Sequence, residues 1–264
     1  MIIITYLIVG LIAGLLAGLL GVGGGIVIVP MLEFCFTRQG FAEASIMHLA
    51  LGTSLASIVF TSVSSFMAHH RRGAVDWTIV KRITAGIVIG TFLGTFVASR
   101  MSTTFLKGFF CLFLYFVATN MLLGKKPKAS RELPGVAGMN GMGGLIGMVS
   151  SFVGIGGGTL SVPFMLFCNV EGHRAVGTSA AIGLPIALSG ALGYLFNGLG
   201  AASRPEWSLG YLYLPALFGI VAASVCTAPL GAKIAHALPV DKLKKVFALV
   251  LYVVATRMLW KLVA

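Results

Sequence analysis

Two glycine-rich segments have the residues best suited to binding an anion. The sequence GVGGG of residues 21–25, followed by Pro30, recurs as GIGGG of residues 154–158, followed by Pro163 at the same spacing. A glycine run inside an apolar stretch ends one helix and begins another, whose first N–H groups lack partners within the helix. This positive helix end suits the oxygen atoms of an anion, although a tight turn that binds nothing has the same sequence. The candidate donors, three glycines in each copy, are Gly23, Gly24, Gly25, Gly156, Gly157 and Gly158.

Hydroxyl groups hold matching positions in a second duplicated motif, HxAxGTS. The first copy contributes Thr53 and Ser54, and the second contributes Thr178 and Ser179. Hydroxyls about two turns inside a membrane helix either donate to an oxyanion or bond back to the carbonyl groups of their own helix. Because both copies carry the pair, we expect these four residues to contribute to the same substrate site as the glycines.

The same motif begins with a histidine, and its second copy adds an arginine. His48 and His173 can each carry a proton, donate to an anion or lie at the membrane interface. Arg174 has Leu49 as its counterpart in the first copy, so it is the best single candidate for a fixed positive charge beside the substrate. The competing interpretation is that its long side chain extends to the aqueous surface.

One acidic residue, Glu33, lies within an apolar segment, and its counterpart in the second copy is Leu166. A carboxylate at membrane depth is a functional hypothesis by default, because burying it is costly. Glu33 therefore joins His48 and His173 as a candidate for proton coupling. Its place near the end of the segment is also typical of an ordinary interfacial residue.

The composition indicates that these groups belong to a membrane protein. The chain is 58% hydrophobic and 10% charged, with a mean hydropathy of +0.99, whereas soluble chains are about a quarter charged. Apolar stretches long enough to cross a bilayer recur along its whole length. The net charge of +12 follows from Lys and Arg in short loops and does not indicate nucleic acid. The sequence contains no cofactor motif, metal-ligand cluster or catalytic nucleophile with a base, so we expect neither an enzyme nor an ATP-driven pump.

The duplication covers nearly the whole chain, since YxxATxML near the end of the first half recurs near the end of the second. We therefore predict an all-α polytopic membrane protein made of two homologous repeats. Residues 1–124 form the first repeat, residues 125–134 a cytoplasmic linker, and residues 135–264 the second repeat. Each repeat consists of a glycine-broken helical hairpin and three transmembrane helices.

Two GxxxGxxxG patterns, at residues 10–18 and 86–94, predict closely packed helices. We assign these glycines to packing within the bundle, and their faces are also compatible with a homodimer. The orientation of the repeats depends on whether each glycine-broken pair crosses the membrane once or returns to the side it entered. A returning hairpin makes the repeats inverted and places three basic loops on one side, residues 69–82, 125–131 and 233–245. The positive-inside rule favours this inverted arrangement, with both termini outside.

The repeated GxGGG-x4-P motif, the HxAxGTS motif and the YxxATxML motif together resemble the TauE/SafE family of sulfite exporters. The resemblance covers essentially the full length of the chain, and the motif residues are 21–30, 52–54, 154–163 and 177–179. It implies a multi-pass permease of the bacterial inner membrane that carries sulfite, sulfonates such as sulfoacetate, or related small anions. The interest in His48 and Glu33 comes from their physical chemistry and not from this resemblance.

We therefore expect a secondary transporter with one central anion site between the two glycine breaks. Export driven by the proton gradient or the membrane potential is the leading hypothesis. Import of sulfate-like or thiosulfate-like anions and an anion channel remain alternatives, as does a membrane scaffold that transports nothing. The expected partners are a small anion and the lipid bilayer.

Overall fold

The computed structural model describes residues 2–20, 24–123, 131–201, 203–237 and 240–263. Within these ranges the regular secondary structure is helical, apart from one short hairpin of two antiparallel strands, β1 (Ser208–Leu209) and β2 (Leu212–Tyr213). The all-α prediction is confirmed for the described residues. The helices of the first half are α1 (Ile2–Leu20), α2 (Gly25–Arg38), α3 (Glu43–Arg71), α4 (Trp77–Ala98) and α5 (Thr103–Leu123). Those of the second half are α6 (Val136–Val153), α7 (Gly158–Phe167), α8 (Gly172–Gly198), α9 (Leu214–Ala237) and α10 (Val240–Val263).

Six of these helices are long and apolar enough to cross a membrane: α3, α4, α5, α6, α8 and, over Leu214–Gly231, α9. Their outward faces carry large apolar side chains, among them Ile89 and Leu93 of α4 and Leu112 of α5, each more than half exposed. Such a surface is stable in lipid and not in water. The protein is therefore a multi-pass membrane protein.

The first glycine-broken pair, α1 and α2, forms a hairpin. The Gln39 side chain, at the end of α2, donates to the hydroxyl of Tyr6 near the start of α1, with 2.6 Å between Nε2 and the phenol oxygen. The two free ends of the pair therefore lie side by side. This is the geometry of a returning hairpin, because a single broken span would hold these ends far apart.

Glycines lie in the two most extensive helix–helix interfaces, α1 against α9 and α4 against α6. A Cβ at Gly10 would lie 2.5 Å from the carbonyl oxygen of Ile220 on α9, and one at Gly90 would overlap Gly144 on α6. The same close approach occurs at Gly14, Gly86 and Gly94. The packing role predicted for these glycines is confirmed, since any side chain would force the helices apart.

The two halves exchange equivalent contacts. Helix α1 packs on α9 as α6 packs on α4, while α3 packs on its equivalent α8 and α5 on its equivalent α10. The hydroxyl of Tyr115 is 2.8 Å from Thr256 Oγ1, and that of Tyr252 is 2.6 Å from Thr119 Oγ1. These four residues are the matched Tyr and Thr of the YxxATxML motifs. Their crossed pairing requires α5 and α10 to run antiparallel.

The central pair, α3 and α8, also runs antiparallel. A Cβ at Gly52 would lie 3.0 Å from the Cβ of Tyr194, and one at Gly190 would lie 2.7 Å from Leu55. Residue numbers therefore increase along α3 in the direction in which they decrease along α8. Both helices carry a copy of HxAxGTS and are buried along most of their length. The Gly-Thr-Ser part of each motif copy is thereby buried within the bundle.

Candidate anion site at the two glycine breaks

The first glycine break ends at Gly24, which is the N-cap of α2. Gly24 has φ of 75°, a left-handed conformation that glycine adopts without the steric cost of a Cβ. Its carbonyl oxygen accepts the N–H groups of Val27 and Ile28. Gly25 is then the first residue of α2, while Gly23, the third predicted donor of this copy, lies outside the described residues.

The second glycine break spans the four residues between α6 and α7. Its left-handed glycine is the first of them, Gly154, with φ of 65°, which caps α6 by donating to the carbonyl of Ser150. Gly157, at the position that matches Gly24, has φ of −60° instead. Gly156 lies between the two helices and Gly158 begins α7, and both are buried. Equivalent residues of the two copies therefore adopt different conformations.

The two breaks touch each other, as the sequence predicts. A Cβ at Gly25 would overlap the carbonyl oxygen of Gly154 and lie 2.9 Å from the Cα of Ile155. It would also lie 2.8 Å from the Cδ1 of Ile58 on α3. The N-terminus of α2 thus packs directly on the unwound backbone of the second break, and only a glycine allows this approach.

The Ser and Thr residues of HxAxGTS bind backbone groups. Ser54 Oγ donates to the carbonyl of Gly154 at 2.8 Å, which ties α3 to the second break. Thr53 Oγ1 accepts the N–H of Tyr213, just before α9, and Thr178 Oγ1 accepts that of Asp76, just before α4, both at 2.9 Å. These two bonds are equivalent in the two halves, and an accepting hydroxyl keeps its own proton for another acceptor. Ser179 Oγ donates to Val176 in its own helix at 3.0 Å.

Two further hydroxyls at the second break were not among the candidates from the sequence. Ser150 Oγ, one turn before Gly154, and Thr159 Oγ1, in the first turn of α7, are buried and have no hydrogen-bond partner among the described residues. Ser161, one turn further, donates to the carbonyl of Gly157. An unpaired buried hydroxyl costs about 1–3 kcal/mol. These two oxygens are therefore the clearest polar groups at the breaks with spare bonding capacity.

The repeat itself contains the signal for these residues. Ser150, Thr159 and Ser161 have apolar counterparts at the matching positions of the first copy, which are Ala17, Ile26 and Ile28. Comparing what the copies share identifies the glycines, whereas comparing where they differ identifies the hydroxyls. The second break alone combines an N-terminal helix end with polar side chains.

The two motif histidines lie in opposite environments. His48 is buried, with Nδ1 3.2 Å from the carbonyl oxygen of Ala44 and Nε2 3.1 Å from that of Ala98, and its ring stacks on Tyr211. Carbonyl oxygens only accept, so a neutral imidazole satisfies one of these contacts and a second proton would satisfy both. His173 is exposed, and its Nε2 lies 3.6 Å from a carboxylate oxygen of Glu171.

Arg174 lies in the exposed first turn of α8, one turn before the buried Thr178. This is the surface environment of the competing interpretation from the sequence. The structure does not place the guanidinium among the buried groups of the two breaks.

Glu33 is buried and has a cationic partner that the sequence analysis missed. Its Oε1 lies 3.0 Å from Nζ of Lys107 in the second turn of α5, with side-chain exposures of 5% and 11%. Thr37 Oγ1 donates to the backbone carbonyl of Glu33. A buried carboxylate is stable only when it is paired, so the available signal was a lone lysine in the otherwise apolar run of α5.

Comparison with known proteins places the chain in a family. The model of the sulfite exporter TauE/SafE family matches residues 6–258, nearly the whole chain. This protein belongs to the TauE/SafE family. A probable membrane transporter protein of Haemophilus influenzae is 42% identical over 98% of each chain. Another from Methanocaldococcus jannaschii is 26% identical over 86% of this chain and 84% of its own. No solved structure matches this chain.

Family membership confirms the resemblance drawn from the duplicated motifs. The glycine breaks and HxAxGTS copies of this TauE/SafE protein are therefore parts of a membrane transporter.

Proposed function

We propose that this protein is a secondary transporter that exports small sulfur-containing or organic anions across the bacterial inner membrane. Sulfite and sulfonates such as sulfoacetate are the first candidates for its substrate. One observation carries the proposal: the two glycine breaks touch, and two buried hydroxyls that have no hydrogen-bond partner among the described residues flank the second one. In a membrane protein, unwound backbone is tolerated where it is buried or lines a ligand site.

The anion binds at the second break in this proposal. The first N–H groups of α7, from Gly158 and Thr159, lie at the positive end of the helix and suit the oxygens of a sulfite or sulfonate group. The hydroxyls of Ser150 and Thr159 add side-chain donors. The first break contributes the N-terminus of α2 at Gly25, which contacts Gly154. Among the remaining predicted residues, Thr53 and Thr178 retain a proton to donate, whereas Ser54 and Ser179 position the backbone.

The two repeats are inverted in this proposal. Support comes from the antiparallel course of α3 against α8 and of α5 against α10, because equivalent elements run in opposite directions only if the halves are inverted. The hairpin of α1 and α2 gives the odd number of passes per half that inversion requires. Residues 69–82 then lie on the cytoplasmic side, as the positive-inside rule favours. Most of the predicted linker, residues 124–130, lies outside the described residues.

Proton coupling involves His48 and Glu33. Both are buried, and each lies where a change of protonation alters its contacts, the two carbonyls for His48 and Lys107 for Glu33. Protonating Glu33 would leave the ammonium of Lys107 without its counter-charge in a buried site, which favours a rearrangement of α2 against α5. The exposed His173 and Arg174 are assigned to the cytoplasmic entrance, where a positive charge attracts anions.

Efflux from proteoliposomes tests the proposal. Vesicles are loaded in turn with sulfite, sulfoacetate, sulfate, thiosulfate and a neutral amino acid, and each efflux rate is measured with and without an imposed pH gradient and membrane potential. We expect efflux of the sulfur oxyanions that depends on at least one gradient, and none of the amino acid. Indifference to both gradients would contradict a coupled exporter.

Two competing functions give different results in the same vesicles. An importer accumulates the anion against its gradient in vesicles of the opposite orientation. A channel passes ions at single-channel rates and shows no saturation at millimolar substrate. Loss of efflux in a folded Gly24→Leu, Gly157→Leu double variant would associate transport with the two breaks.

A further inference from the structure

An open apolar cleft of about 680 Å³ lies between the C-terminal half of α3 and α9. One face of α3, from Val59 to Arg71, forms most of its wall, and Val225 of α9 completes it. The wall is apolar except for Ser64 within it and Arg71 at its end. Phe60 and Met67 are about half exposed to it, so the cleft is a site that neither the glycine breaks nor the HxAxGTS residues account for.

The equivalent face of α8 is partly covered by protein, although Leu188 and Leu192, which match Val63 and Met67, are 50% and 41% exposed. Aligning the two HxAxGTS copies matches Ser64 with Ser189 and Ala68 with Gly193. Ser189 and Gly193 are buried, and a Cβ at Gly193 would lie 2.8 Å from the Cβ of Thr95 on α4. Ala68 is exposed and Ser64 is partly exposed. In the second half, α4 therefore covers the position of Gly193, whereas the first half leaves the matching Ala68 open to the cleft.

The chemistry at the end of the cleft also differs between the halves. Arg71 is the last residue of α3, and the matching residue of α8 is Phe196, which is 56% exposed. Among the residues that the structure describes, no carboxylate forms an ion pair with Arg71. The cleft thus combines apolar walls with one guanidinium at its end, and this arrangement is complementary to an anionic amphiphile.

We propose that this cleft binds an anionic phospholipid. One acyl chain lies along α3 beside Val63 and Met67, and the headgroup phosphate pairs with Arg71. In a bilayer, an acyl chain occupies an apolar cleft at lower cost than water, because water finds few hydrogen-bond partners there. The arrangement proposed for the repeats places Arg71 on the cytoplasmic side, where anionic lipids attract basic residues near the ends of membrane helices. The phosphate geometry suits a guanidinium in particular.

Lipid retention by the purified, delipidated protein tests this site. Native mass spectrometry compares binding of phosphatidylglycerol and phosphatidylcholine to the unchanged protein and to four variants. We expect the unchanged protein to prefer phosphatidylglycerol, and Arg71→Gln to weaken that binding about fivefold, the equivalent of about 1 kcal/mol per basic residue. Arg100→Gln, which removes an exposed arginine at the other end of the bundle, is the matched control and leaves binding unchanged.

A second pair of variants tests the apolar part of the site. Val63→Trp fills the cleft and abolishes retention of both lipids, whereas Leu188→Trp, at the matching position on α8, retains them. If Val63→Trp does not fold, Met67→Trp takes its place in the comparison.

Four results would overturn the proposal. The first is equal retention of the two lipids by the unchanged protein, and the second is full retention by a folded tryptophan variant. The third is a dimer that forms on delipidation and is lost in Val63→Trp, which would make a second copy the occupant. Displacement of phosphatidylglycerol by millimolar inorganic phosphate would likewise show that Arg71 binds a free anion and that the cleft contributes nothing.

Discussion

The two glycine breaks share a sequence motif but differ in the residues around it. The first is flanked by Ala17, Ile26 and Ile28, and the second by Ser150, Thr159 and Ser161. Among the described residues of the breaks, the left-handed glycines are Gly24, the last residue of the first break, and Gly154, the first residue of the second. Duplication has preserved the glycine motif in both copies, while Ser150, Thr159 and Ser161 give only the second copy hydroxyls at these positions.

The charged residues follow the opposite distribution. The first half holds the buried pair of Glu33 with Lys107 and the buried His48, whereas the second half has Leu166 at the position of Glu33 and an exposed His173. This difference suggests separate roles for the two halves. The second half supplies the anion site in our proposal, and the first half supplies the groups that change charge.

The largest expected effect concerns the buried ion pair. Glu33→Gln and Lys107→Met should each lower the free energy of unfolding by about 3–5 kcal/mol, because each leaves an uncompensated charge or a lost partner in a buried site. The double variant should recover most of that loss. Thermal unfolding in detergent measures it, with the exposed Glu43→Gln as the control. Equal stability of Glu33→Gln and Glu43→Gln would contradict a structural ion pair.

The next effect concerns the contact between the breaks. Gly25→Ala should destabilise the protein by about 1–3 kcal/mol or more and abolish transport, because the new Cβ overlaps the carbonyl of Gly154. Gly172→Ala is the control, since its Cβ would meet only Leu166, at 4.0 Å. Stability and efflux are measured on both variants. A fully active Gly25→Ala protein would mean that the breaks do not pack as described.

The two motif serines should differ in importance. Ser54→Ala leaves the carbonyl of Gly154 without the Ser54 hydroxyl, at a cost of about 1–3 kcal/mol. Ser179→Ala removes only a bond to its own helix, so we expect about 0.5 kcal/mol or less. Denaturation of the two variants under identical conditions makes the comparison. A larger loss in Ser179→Ala would reverse the assignment of these hydroxyls.

The last expected effect separates the two histidines by their role in coupling. His48→Gln should remove the dependence of efflux on the pH gradient while retaining transport driven by the membrane potential. His173→Gln should leave that dependence intact, because His173 is exposed and is not one of the buried groups proposed for coupling. Its pairing with the solvated Glu171 contributes less than about 1 kcal/mol to stability. Efflux at several imposed pH gradients distinguishes the variants. Identical pH responses would remove His48 from the coupling mechanism.

The sequence predicts the helices of this molecule more fully than the contacts between side chains on different helices. Apolar length and glycine patterns were sufficient for the helices, for the packing at Gly10 and Gly90, and for the contact between the breaks. The pairing of Glu33 with Lys107 was not predicted, because it joins α2 to α5 and no periodicity links residues so far apart in the chain. Likewise, the opposite burial of His48 and His173 depends on which loops and helix ends cover each motif.

The position of the anion is tested most directly by one hydroxyl at the second break. Thr159→Val keeps the shape of the side chain and removes its donor, and Thr256→Val, in the hydroxyl pair of α5 and α10, is the matched control. Sulfite efflux over a range of concentrations gives KM and the maximal rate for each protein. We predict that KM rises at least about tenfold in Thr159→Val, as expected for losing a hydrogen bond to a charged group, and stays unchanged in Thr256→Val. An unchanged KM in a folded Thr159→Val protein would contradict an anion site at the second glycine break.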